Sequence, residues 1–155
     1  MSDWDRRWMD MAHLVGSWSK DRSRKVGAVI VDHDNNLIQI GWNGFPRGID
    51  DNVDSRHMRP DKYHWTEHAE RNAINNAAAM GNSTTGCKIY LPLFPCVGCA
   101  RSIIQAKIIE VISYEPNWND LTYAEEFAMS KSMFGEVPWM TYRFIDGHPP
   151  IRKDG

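Results

Sequence analysis

A histidine at 68, a glutamate at 70 and a Cys-x-x-Cys at 96–99 behind Pro95 carry the densest chemistry in this sequence. Cys96 and Cys99 are three apart, a spacing that puts two side chains on one face of a helix. In a first turn, the positive end of the helix dipole favours thiolate over thiol. One imidazole and two thiolates are strong zinc ligands, and three protein ligands with a fourth corner open describe a catalytic rather than a structural zinc. Glu70 is poorly placed to fill that corner. In mid-helix His68 and Glu70 would point to different sides, so they can serve one site only from a helix's opening turn. We therefore expect two helix N-termini to converge on one Zn2+ ion held by His68, Cys96 and Cys99, with Glu70 as general acid/base. A redox pair, or a closed zinc recruiting His57 or His64, fits the glutamate and the proline less well. Cys87 reads as a core residue, and His13, His33 and His148 carry no role.

The elements that must position these groups follow from pattern. Trp4, Trp8, Met11, Val15 and Trp18 recur at helical spacing, with Ser2 and Asp5 to start the helix. Residues 26–31 and 37–41 read as strands joined by a hairpin loop at 32–36. A polar loop from about Asn43 to Trp65 is too long for a bland connection. A helix from about Glu67 to Met80 carries Ala69, Ala73 and Ala77 on one face, fit to lie close to a sheet, and stops at Gly81. Residues 88–91 form a strand, and Pro95 opens a helix at a first-turn position. Residues 111–114 form another strand, 121–134 a helix ended by Gly135, and 139–145 a last strand. This alternation predicts one central sheet covered by helices on both faces. The domain spans 1–146, and an irregular tail, 147–155, is free to meet a neighbouring subunit.

Bulk properties narrow the class. At 155 residues the chain can bury a core without staples, and 42% hydrophobic with 25% charged residues is ordinary for a globular protein. A formal net charge of −2 argues against a nucleic acid polymer as partner. No apolar run approaches a membrane span, and the N-terminus leads into an amphipathic pattern, not a signal peptide. Three cysteines, two in one motif, suit a reducing, cytoplasmic compartment. The cations Lys20, Arg22, Arg24 and Lys25 read as a solvated connector or a phosphate holder; on charge and placement, Arg24 and Lys25 are the phosphate candidates.

The pattern H-x-E…P-C-x-x-C is the signature of zinc deaminases acting on nucleobases. Around it, Ser19-Lys20-Asp21, Lys25-Val26-Gly27-Ala28, Gly41-Trp42-Asn43-Gly44-Phe45-Pro46-Arg47-Gly48, His68-Ala69-Glu70-Arg71-Asn72-Ala73-Ile74, Leu93-Phe94-Pro95-Cys96 and Ile103-Ile104-Gln105-Ala106 resemble the deoxycytidylate deaminase family of the cytidine deaminase-like superfamily. The resemblance runs from about Trp4 to Val111 and fades past Tyr114. It implies an α/β fold, a three-layer α/β/α sandwich on a five-stranded mixed sheet. It also implies hydrolytic deamination of dCMP to dUMP for thymidylate synthesis, and a homo-oligomer, usually a hexamer. By position it implies zinc on His68, Cys96 and Cys99, a proton shuttle at Glu70, sugar or base contact by Asn43, and base contact by the Ala69 backbone. Some relatives are activated by dCTP and inhibited by dTTP; that would place effector contacts at Trp42, Gly44 and Arg47, with Mg2+ accompanying the nucleotide. Trp42 departs from the family's usual tyrosine, and no Cys/His set for a second zinc is present.

Three rivals remain. A tRNA adenosine deaminase shares Gly-Trp-Asn and His-Ala-Glu, but has a shorter loop between them and a glutamate where Phe94 stands. A deaminase of another cytosine nucleotide or nucleoside (5-substituted dCMP, dCTP or cytidine) differs only in its pocket. A non-catalytic zinc or nucleotide binder would have no use for Glu70.

Overall fold

The structure, a computed structural model, describes residues 1–153; Asp154 and Gly155, the end of the expected tail, lie outside the described residues. Helix α1 (Asp3–Gly16) is followed by β1 (Gly27–Val31) and β2 (Leu37–Trp42). The long loop is not featureless: it contains a 3-10 turn at Asp54–His57 and a one-turn helix, α2 (Lys62–Trp65). Then come α3 (Ala69–Met80), β3 (Lys88–Leu91), α4 (Val97–Gln105), β4 (Glu110–Tyr114), α5 (Ala124–Glu136) and β5 (Thr141–Ile145).

The five strands form one mixed sheet in the order β2-β1-β3-β4-β5. β1 is antiparallel to both β2 and β3, and β3, β4 and β5 run parallel. The expected five-stranded mixed sheet is therefore what forms. Strand alternation sorts the core. Ala28, Ile30, Ile89, Leu91 and Val111 face one side, with Ala69, Ala73, Phe127 and Phe134 of the overlying helices. Val29, Val31, Tyr90, Ile112 and Ile145 face the other, with Trp8, Met9 and Ala12 of α1. Successive strand residues point to opposite faces, so α3, α4 and α5 share one face and α1 covers the other.

Local chemistry sets the helix ends. Ser2 caps α1 in a reciprocal capping box with Asp5. Asp5 then reaches across the α1 face of the sheet, where Arg143 of β5 grips it with two bonds of 2.8 and 2.6 Å and Tyr90 adds a third at 2.9 Å. Gly41 lets α3 lie on β2: a Cβ there would sit 2.6 Å from the Ala69 carbonyl oxygen. Ala69, Ala73 and Ala77, the expected small face, are buried. Gly81 closes α3 in the left-handed conformation at φ 72°.

Several boundaries differ from the pattern reading. Gly135 lies inside α5, which runs to Glu136 and ends at Val137 because Pro138 disfavours helical geometry in the residue before it. Pro95 stands outside α4, one residue before its cap, rather than in the first turn. β5 starts at Thr141, two residues beyond Trp139. Among the described residues, no helix is long and apolar enough to cross a membrane.

Candidate active site

Two helix starts meet over the C-terminal end of β3. His68 is the N-cap of α3 and Cys96 the N-cap of α4, so both side chains project past the helix ends. Glu70 follows in the first turn of α3 and Cys99 in the first turn of α4. The convergence inferred from spacing is thus the geometry found, with the refinement that two of the candidate ligands are caps. His68 Nδ1 lies 3.4 Å from the sulfur of Cys96 and 3.4 Å from that of Cys99. Among the described residues, these three form the one grouping of three potential metal-ligand atoms, all within 4.8 Å of one another.

The donor set fits zinc. Zn–S near 2.3 Å and Zn–N near 2.0 Å in tetrahedral geometry place neighbouring ligands roughly 3.5 Å apart. The two sulfurs are shifted in opposite directions. A hydrogen bond from Cys99, reinforced by His68, holds the Cys96 thiol far below its ordinary range against the effect of burial. Cys99, as donor in that bond and buried, is pushed up. The bond to Cys96 pushes His68 up, burial opposes it, and the charge of Glu70 adds to the rise.

Glu70 is 5% exposed. Its burial pushes the carboxyl up, while His68 pulls it back down. It stands outside the three-atom grouping. Arg71, next in sequence, is anchored to Glu67 by bonds of 2.6 and 2.7 Å, and its guanidinium lies over Gly98 in the first turn of α4. Its positive charge acts on both sulfurs.

His68, Glu70 and Cys96 open into a cavity that Asn43, Ala69 and Arg24 also line. Asn43 is committed in part to the fold: its carbonyl oxygen accepts from the Val26 N–H and its amide donates to the Arg24 carbonyl, both at 2.8 Å. Ala69 is the first residue of α3, and the first four N–H groups of a helix have no intrahelical acceptor. Lys25 is exposed and does not line the cavity, because the extended chain points Arg24 inward and Lys25 out.

The cavity lining also includes residues that pattern alone did not assign to a site: Arg59, Lys62, Tyr63, Tyr123 and Arg152. Lys62 is fixed by Asp21 at 2.9 Å, in a pair 14% and 5% exposed. The loop's length was the one signal for Arg59 and Lys62; Tyr123 and Arg152 had none.

A second cleft is lined by Trp18, Lys20, Trp42, Gly44, Phe45 and Asp51, among others. Trp42 and Gly44 of the expected effector set are there, with Trp42 edge-on to Trp18 at 5.3 Å. Arg47 is not among its lining residues; it donates to Asn76 at 2.6 Å. Asp51 and Asp21 are engaged by Lys20 and Lys62, so the Mg2+ expected with an effector gains no support.

Comparison with known proteins gives the same picture. The family described as the cytidine and deoxycytidylate deaminase zinc-binding region matches residues 2–115. An uncharacterized deaminase of Aliivibrio fischeri, from the luxG 3' region, is 42% identical over 90% of this chain and 95% of its own length. Human deoxycytidylate deaminase is 39% identical over 92% of this chain and 80% of its own. The crystal structure of dCMP deaminase from cyanophage S-TIM5, in complex with dCMP and dUMP, shares the fold: TM-score 0.73, 21% identity, 94% of this chain and 99% of that one.

Proposed function

The chain belongs to the cytidine and deoxycytidylate deaminase family, and from that premise we propose that it hydrolyses dCMP to dUMP and ammonia. The observation that carries this reading is a single cavity joining two chemistries. Its lining includes His68, Cys96 and Glu70 as one group and the cations Arg24, Arg59, Lys62 and Arg152 as another. A cytosine ring for the first group and a phosphate monoester for the second make one substrate.

His68, Cys96 and Cys99 would hold zinc, which when bound supplies the Lewis acidity that makes hydroxide available near neutral pH. Glu70 takes the proton released from water and delivers it to the ring nitrogen beside C4. It then carries the second proton to the departing amine, so that dCMP and water become dUMP and ammonia. Burial serves this shuttle: a carboxyl with a raised pKa holds a proton long enough to hand it on. The Ala69 N–H points to the base, and Asn43, braced against residues 24–26, limits how the sugar and base can lie. Arg71 offsets the negative charge of the two sulfurs.

In metabolism this activity supplies a precursor for thymidylate in the cytoplasm. Assembly as a hexamer and control by dCTP and dTTP come from the family resemblance, and the second cleft beside Trp42 and Gly44 is the place for an effector.

A substrate panel read as ammonia tests the reading. dCMP should turn over well above deoxycytidine, cytidine, dCTP and adenosine in tRNA. Equal turnover of dCMP and deoxycytidine would remove the monophosphate claim.

A further inference from the structure

After β5 the chain doubles back. Gly147, at φ 145°, lies against the Tyr114 ring where a Cβ has no room, and residues 147–153 return to the cavity without helix or strand. The return is fastened at Ser23, where three segments meet. The Ser23 carbonyl accepts from the Lys153 N–H at 3.0 Å, and its hydroxyl accepts from Arg59 at 3.1 Å. Its own N–H donates to Asp21 at 2.8 Å, the carboxylate that also holds Lys62. One serine therefore ties residues 147–153 to the connector before β1 and to the long loop after β2.

Each of these segments brings an arginine to the same place. Arg24 from the connector, Arg59 from the loop and Arg152 from the returning segment all line the cavity. All three act electrostatically on the Tyr123 hydroxyl, and Arg24 sits 5.8 Å from the centre of its ring. Tyr123 lines the same cavity, and burial pushes its hydroxyl up from the ordinary tyrosine range. Guanidinium groups in a partly enclosed space bind a phosphate through charge-assisted, often bidentate bonds. A neutral nucleoside offers them nothing in return.

We propose that Arg152 is a specificity-determining residue that receives the phosphate of the nucleotide together with Arg24 and Arg59, and that residues 147–153 are the strap that delivers it. The inference rests on the monophosphate reading above. It adds that the choice of nucleotide over nucleoside depends on a segment outside the part of the chain that carries the zinc motif.

The test is steady-state kinetics of the zinc-loaded protein on dCMP and on deoxycytidine. Arg152→Ala should raise KM for dCMP at least about tenfold, with kcat changed less than about twofold and kcat/KM for deoxycytidine unchanged. Arg152→Lys should recover part of the loss, because it keeps the charge and loses the fork. An unchanged KM for dCMP, or an equal loss on both substrates, would overturn the proposal; the second result would mean the strap only supports the fold. Wild-type protein in the same assay separates the two claims. No preference for dCMP removes both, whereas a preference that survives Arg152→Ala removes only this one.

Discussion

Glu70 and Asp5 are both buried carboxylates, and their surroundings push them in opposite directions. Glu70 is buried beside two sulfurs, and desolvation pushes it up. The expected result for Glu70→Gln is zinc content unchanged by elemental analysis and turnover lowered by about 10^2- to 10^4-fold, since only proton transfer is removed. Loss of zinc in that variant would make Glu70 a ligand instead. Asp5 is held low by the Arg143 hydrogen bonds, with burial opposing and Ser2 and Tyr90 assisting. A carboxylate whose folded pKa is depressed contributes stability above its unfolded value, near 3.9, and that contribution is lost as pH falls through the folded value. Asp5→Asn should therefore lower Tm at pH 7 and lose much of that deficit relative to wild type below about pH 4. A deficit independent of pH would mean that the ion pair contributes nothing. At this scale the sequence was readable wherever function sits in short spacing: His68, Glu70, Cys96 and Cys99 occupy two helix starts. It pointed to Arg59 and Lys62 only through the length of their loop and to Arg152 not at all, because cations are common and only the tertiary structure brings these three together.

The elements matter through how firmly they hold those helix starts. Phe94, two residues before Cys96, is 1% exposed and meets Phe127, Phe134, Tyr142 and Phe144 edge-on at 5.6 to 6.3 Å. This cluster fixes the turn from β3 into α4, and with it the sulfurs. Phe94→Ala should cost about 3–5 kcal/mol of stability by denaturant unfolding and weaken zinc retention at the same time. A fully stable variant would mean that the aromatic cluster does not anchor the turn. Helix α3 was legible from its alanines, and Gly41 is the strand-side half of that close contact, which spacing alone does not reveal. The end of α5 was misread at Gly135 because a glycine can be tolerated within a helix; Pro138 is the stronger stop.

At the scale of the whole molecule, strand–helix alternation predicts a sheet with helices on both faces, and the family resemblance adds that it is mixed. What alternation cannot predict is the division of labour: α1 alone covers one face, while three helices share the other with the metal site. Nor does it reveal that residues 147–153 close back on the cavity, since that path depends on the Ser23 carbonyl and on Gly147. The central claim concerns one ion with an open corner. His57 and His64, the residues that could close it, stand apart from the His68–Cys96–Cys99 grouping, and His57 bonds to the Asp51 carbonyl at 2.6 Å. X-ray absorption at the zinc edge of the purified protein tests this directly. The account predicts two sulfurs near 2.3 Å, a single imidazole, and one further light atom that is not histidine. Two imidazoles or a third sulfur around the zinc would contradict it.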